Sequence, residues 1–191
     1  MSDFDLVYAP MPSPAAGELL VRSIYLSLDP HVRQRMNENG AHPRTIALGE
    51  VITGGAVGLV VASEDPGFVI GDAVEGLLGW QEYAAVPARA LRKIDSALAP
   101  LSTAVGVLGG PGLTAYFGLL EICDPRPGET VAVSGAAGGV GMIVGQIAKI
   151  RGCHVVGVAG SDAEISWLVD ELGFDAALNY RTEADLHARL K

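Results

Sequence analysis

The chain has 191 residues, 49% of them hydrophobic and 18% charged, with a mean hydropathy of +0.33; that is enough apolar mass for a packed core and excludes intrinsic disorder. A net charge of −9 and a pI near 4.8 exclude nucleic acid and anionic membrane surfaces as partners, because both need clustered Lys and Arg. Two distant cysteines, Cys123 and Cys153, without CxxC or Cys/His spacing, and an acidic start, MSDFDLVYAP, without a signal-peptide pattern, predict a soluble cytoplasmic protein with reduced thiols.

In chain order, residues 4–95 read as β-rich. ELLVRSIYLSLD (18–29), GAVGLVVAS (55–63) and WQEYAAV (80–86) mix alternating and continuous apolar runs, separated by PSPAAG and EDPG turns. Short strands at this spacing predict a small barrel or sandwich. Gly71-Asp72 falls between two apolar segments as a tight turn. From residue 97 the texture turns helical: SALAPLSTAVGVLG is rich in Ala and Leu, and PGLTAYFGLLEIC opens with Pro111 in a first helical turn.

After the connector DPRPGE (124–129), strands and helices alternate. VAVS (131–134) predicts a strand and the next segment a helix to about Ile150. HVVGVA (154–159) predicts a second strand, AEISWLVDELG (163–173) a helix ended by Gly173, DAALNY (175–180) a third strand, and TEADLHARL a last helix. The order βαβαβα is that of a parallel, doubly wound sheet.

Between the first of these strands and its helix lies Ala136-x-Gly138-x-x-Gly141, a dinucleotide fingerprint with alanine at its first position. The apex of a tight turn needs no side chain. The next glycine lets the main chain approach a pyrophosphate, and the third lets helix and strand pack closely. The helix start then offers unpaired N–H groups and a positive dipole end to the phosphates. The competing explanation is a glycine-rich turn that only packs a helix on a sheet. Twenty residues on, Ala159-Gly160-Ser161 is small and neutral, leaving room for a 2′-phosphate, with Asp162 and Glu164 close behind.

Several stretches carry a family resemblance: YLSLDPHVRQRM, GLLGWQEYAAVP, VGVLGGPGLTAY, YFGLLEI, VGQIAKIRGCHVVGVAGS and ELGFDAALNY. Over nearly its whole length the chain resembles the zinc-independent medium-chain dehydrogenases/reductases, in particular the prostaglandin reductase and leukotriene B4 dehydrogenase-like enal/enone reductases. The resemblance implies a GroES-like β-barrel domain (1–100), connecting helices (101–129) and the first half of a Rossmann doubly wound parallel sheet (130–191). It implies reduction of the C=C bond of α,β-unsaturated ketones and aldehydes by hydride from NADPH, a small unsaturated carbonyl as substrate, and a homodimer. By position, Gly138, Gly139, Val140 and Gly141 resemble the pyrophosphate turn. Tyr180 resembles the tyrosine that contacts the 2′-phosphate region, with strand-end capping as the other role open to it, and Ser161 is taken as a cofactor-binding residue from the small, neutral run after the second strand. Thr114 resembles a residue on the nicotinamide side, with helix packing as its rival role.

No zinc site is expected. Zinc alcohol dehydrogenases carry Gly-His-Glu after a ligand cysteine, whereas Leu48-Gly49-Glu50 stands here and no cysteine precedes residue 123. His31 and His42 read as solvated loop histidines. Three positions depart from the family: His31 replaces a tyrosine, Gly110 a methionine, and Glu164 the lysine that pairs with the 2′-phosphate. The last keeps NAD(H) as an alternative to NADP(H) unless Arg181 compensates. A Rossmann domain needs two βαβαβ halves, so a chain truncated at both ends is expected, with the catalytic residues unassigned and little activity of its own. A non-catalytic fragment, a partner-completed subunit and a quinone oxidoreductase are the alternative readings.

Overall fold

A computed structural model describes residues 4–37 and 45–190; His42 lies outside them. The chain divides into two compact units, residues 1–105 and 106–191.

The first unit is built on one antiparallel sheet. Its strands are β1 (Glu18–Leu26), β2 (Ala56–Ser63), β3 (Ala73–Gly76), β4 (Tyr83–Pro87) and β5 (Arg92–Ile94), in the order β4-β1-β2-β3-β5. This is the GroES-like half of the fold. Leu19, Val21, Val60, Val74 and Leu78 form its core, each at most 1% exposed. Gly71 has φ +94°, and the Asp72 carboxylate accepts the Val69 N–H at 2.8 Å, which closes the turn between β2 and β3. The first strand stops short of its expected end. Pro30 cannot donate to a strand ladder, and a short helix, α1 (Pro30–Arg35), begins there instead, with His31 on it and exposed.

The second unit opens with α2 (Gly110–Tyr116), with Pro111 in its first turn, and continues as a wider π-type turn over Phe117–Cys123. The helical expectation over 97–109 is corrected: only Leu101–Val105 forms a 3₁₀ turn there. Pro100 and the glycines at 106, 109 and 110 interrupt the Ala/Leu pattern on both sides.

Beyond this point the alternation read from the sequence appears as a parallel sheet, β6 (Thr130–Ser134), β7 (His154–Ala159) and β8 (Ala176–Asn179), in the order β6-β7-β8. It is the first half of a Rossmann fold. The crossovers are α3 (Gly141–Ile150) and α4 (Asp162–Asp170), and α5 (Leu186–Arg189) is a single turn. Val155, Ala136, Leu168 and Phe174 fill the space between sheet and helices. Phe174 explains two glycines. A Cβ on Gly145 or Gly157 would run into its ring, at 1.9 Å and 3.0 Å respectively, so helix and strand approach over the same phenyl group.

Asp175 fastens the start of β8. Its carboxylate accepts both contacts from Lys149 Nζ (2.7 and 2.8 Å) and the Val155 N–H (2.6 Å), with His154 Nδ1 at 3.4 Å. One carboxylate thus ties together α3, β7 and β8.

Candidate functional site

The three parallel strands end toward a cleft of about 400 Å³, within the range of small-molecule sites. One wall is the turn after β6, with Gly135, Ala137 and Gly138; the second is the turn after β7, from Ala159 to Ser161, with Glu164; the third is Tyr180 and Arg181, after β8. In open parallel sheets, ligands bind at the carboxyl ends of the strands, and this cleft lies there.

The glycine turn is arranged for close approach. Gly138 N–H donates to Gly135 O (2.9 Å), and Met142 N–H to Gly138 O (3.0 Å), leading the chain into α3. A Cβ on Gly141 would lie 2.4 Å from Gly135 O and 2.8 Å from Ala136 Cα, so only glycine lets the helix start against the strand end. The left-handed residue of the turn is Gly135 (φ +57°), one position before the alanine of the fingerprint. Ala136 is fully buried, and its N–H donates to Val158 O at 3.0 Å. Its methyl group therefore packs inside, and the substitution of alanine for glycine costs the ligand side nothing.

The start of α3 is bare. Val140 stands at its N-cap without a side-chain hydrogen bond, and no acidic residue occupies its first turn. Met142 N–H and Ile143 N–H donate to Gly138 O and Val140 O, whereas the N–H groups of Gly139, Val140 and Gly141 have no protein acceptor among the described residues. Together with the positive end of the dipole they suit an external anion.

The start of α4 is filled from within. Ser161 caps it, its Oγ accepting the Glu164 N–H at 3.3 Å. Glu164 reaches back, and its Oε2 accepts the Gly160 N–H at 2.9 Å. This is a capping box displaced by one residue. Asp162, the other carboxylate close to this turn, is taken up by Asn179, whose Nδ2 donates to it at 2.7 Å.

Asn179 is the joint that brings the third wall in. Its side-chain oxygen also accepts the Arg181 N–H (3.1 Å), and Tyr180 N–H donates to Ala159 O (3.1 Å). Tyr180 is thereby laid against Gly160, where a Cβ would meet its ring and hydroxyl at 3.2 Å. The Arg181 guanidinium lies 5.7 Å from the Tyr180 ring centre. A hydrogen bond to the Tyr180 side chain, and to a lesser degree the charge of Glu164, raise its pKa above the ordinary arginine value.

Gly138, Ser161 and Tyr180 thus line one cleft, with Gly139, Val140 and Gly141 on the adjoining helix start. Thr114 is not among the residues lining it. It is exposed on α2, and its hydroxyl donates to Gly110 O at 2.9 Å, inside its own helix. Sequence reasoning passed over Gly135, Asn179 and Asp175; a glycine directly after a strand and an Asn at a strand end were the available turn signals for the first two. Among the described residues, no group of three or more His, Cys, Asp or Glu is placed to hold a metal ion, and no helix is long and apolar enough to cross a membrane.

Comparison with known proteins places these features in a wider setting. A family described as the N-terminal domain of oxidoreductase matches residues 1–94, and one described as zinc-binding dehydrogenase matches residues 139–191. An NADP(+)-dependent 2-alkenal reductase of Nicotiana tabacum is 47% identical over 178 residues, 92% of this chain and 52% of that protein. Prostaglandin reductase 1 of Bos taurus is 44% identical over 193 residues, all of this chain and 56% of that protein. The crystal structure of CurA from Vibrio vulnificus in complex with NADPH superposes with a TM-score of 0.90 at 40% identity, covering 98% of this chain and 56% of that one. The chain spans about half the length of the curated relatives it matches.

Proposed function

Starting from the membership of this chain in the medium-chain dehydrogenase/reductase family, we propose that it is part of an NADP(H)-dependent reductase of α,β-unsaturated ketones and aldehydes. Residues 1–100 belong to its substrate side and 130–191 to its nucleotide side. The observation that carries the reading is the bare start of α3 behind a turn in which only glycine fits at position 141.

The dinucleotide, when bound, supplies a hydride; one hydride on the β-carbon and one proton on the α-carbon saturate the double bond. The residues of this chain hold and orient. The turn from Gly138 to Gly141 would receive the pyrophosphate on the N–H groups of Gly139, Val140 and Gly141, which need no reorganisation, while Gly138 N–H stays on Gly135 O and holds the turn. Ser161 and Tyr180 border the adenosine ribose, and the Tyr180 ring, braced on Gly160, supplies a flat wall. Such positioning converts an encounter of two molecules into a step within one complex. Enone reduction is favoured over quinone reduction by the identities of the relatives: 47% for the 2-alkenal reductase against 25% for an Escherichia coli quinone oxidoreductase. A cytoplasmic homodimer acting on a small carbonyl compound completes the proposal.

The test is turnover of a simple 2-alkenal by the natural protein that contains this chain, followed by loss of reduced-nicotinamide absorbance. NADPH-dependent consumption with a saturated product supports the reading. Binding of NADPH with no turnover of any enone, but rapid turnover of quinones, would replace it with the quinone reading.

A further inference from the structure

The wall after β8 is held by a side chain that does not itself line the cleft. Asn179 ends β8; its Nδ2 donates to Asp162 Oδ1 on α4 at 2.7 Å, and its Oδ1 accepts the Arg181 N–H at 3.1 Å. The partners fix which way the amide faces, since a backbone N–H only donates and a carboxylate only accepts. The main-chain oxygen of Asn179 accepts the N–H groups of Thr182 (3.1 Å) and Glu183 (2.9 Å), so the chain turns at once. Tyr180 and Arg181 ride on that turn. Asp162 is exposed at the first position of α4, and neither it nor Asn179 is among the residues lining the cleft.

We propose that Asn179 is a positioning residue for dinucleotide binding: its bond to Asp162 latches the turn after β8 onto the start of α4 and fixes the cleft between them. The inference rests on the dinucleotide reading of the cleft and deepens it. A ligand that meets a wall already in place does not have to order it, so part of its affinity comes from the latch. The bond is charge-assisted, which suits it to hold an exposed turn. Asparagine fits both ends. A carboxylate at position 179 would face that of Asp162, and an aliphatic side chain would leave both Asp162 and the Arg181 N–H without this partner.

The experiment is calorimetric titration with NADPH of the natural protein that contains this chain, well below the melting temperature of each variant. Asn179→Asp breaks the latch by repulsion and should raise the dissociation constant about tenfold. Adding Asp162→Asn to it reverses the latch, with the amide now on the helix and the carboxylate on the strand end. That double variant should return to within about threefold of the unaltered protein. Asp162→Ala breaks the latch from the exposed helix side and serves if Asn179→Asp fails to fold. It also separates position from charge: loss of the latch should weaken binding by about threefold or more, whereas removing a negative charge near an anionic ligand would by itself tighten it. Unchanged binding in a folded Asn179→Asp, unchanged or tighter binding in Asp162→Ala, or no recovery in the double variant overturns this inference and leaves the dinucleotide reading standing. No binding of NADPH by the unaltered protein overturns the dinucleotide reading, and this inference with it.

Discussion

Two helices begin at the same cleft and treat their first turns in opposite ways. The start of α3 has no side-chain cap and no acidic residue, and glycines precede it. The start of α4 has a serine cap and two carboxylates, one of which bends back onto the preceding strand end. Unpaired helix N–H groups near the surface must find an acceptor in water, in a ligand or in the protein itself. The difference is between a helix start left without side-chain partners and one that the chain caps for itself. It supports the proposed pyrophosphate site at α3, whereas a ligand at α4 would meet a carboxylate already in place.

The comparison is broken most severely at Gly141. In Gly141→Ala the new methyl collides with backbone atoms of Gly135 and Ala136, which cannot turn aside as a side chain would. A loss of roughly 3 kcal/mol in denaturant unfolding is expected, at the top of the ordinary range for overpacking, together with loss of dinucleotide binding. Wild-type stability with intact binding in that variant would show that the start of α3 is not held against the strand.

Next in size is Asp175, which fastens the far end of α3 to both neighbouring strands. Its pKa is lowered chiefly by the hydrogen bond from Lys149, then by that from Val155 N–H. The sign follows directly. A carboxylate whose folded pKa is depressed contributes its stability above the unfolded value of about 3.9, and loses it as pH falls through the folded value. Asp175→Asn is expected to cost roughly 1.5–3 kcal/mol at neutral pH, the range for hydrogen bonds to charged groups. In melting curves, the gap between wild type and variant should begin to narrow below about pH 4 and close as the pH falls on through the lower folded value. A gap that persists unchanged in acid would assign the effect to packing.

The self-provided start of α4 is tested by Ser161→Ala, for which a loss of about 1 kcal/mol is expected from the missing cap. No stability change there would mean that Glu164 alone holds the turn. The smallest effect sharpens the contrast from the other side. Val140→Asp places a carboxylate at the bare start of α3 and should stabilise the unliganded protein by about 0.3–1 kcal/mol through the helix dipole. The same change should weaken dinucleotide binding, since the pyrophosphate then meets a fixed negative charge. Tighter or unchanged binding would remove the start of α3 from the phosphate site.

Much of this contrast was legible before any coordinates. The glycine turn could be read because its chemistry is local: each glycine answers a backbone requirement within six residues. The α4 start could be read in part, since Ser161 and Glu164 have capping-box spacing. The position of the turn's left-handed residue could not. Ala136 fits the fingerprint by number, but backbone sterics place the positive φ on Gly135. Thr114 could not be judged either, because a hydroxyl on a helix may face a ligand or bond its own backbone, and the two leave the same sequence.

By itself the sequence determined the order of strands and helices in the second unit, the parallel character of its sheet and the place of the glycine turn. Hydrophobic periods and turn residues are short-range signals that survive without knowledge of neighbours. Only the tertiary structure decided that Gly160 and Glu164 on one wall of the cleft meet Tyr180 and Arg181 on the next, with Asn179 as the joint between them. They lie on different elements and meet because parallel pairing carries β7 and β8 to the same edge, where Asn179 binds Asp162 across the gap. Charge at that wall is a matter of through-space distance, which spacing along the chain does not encode.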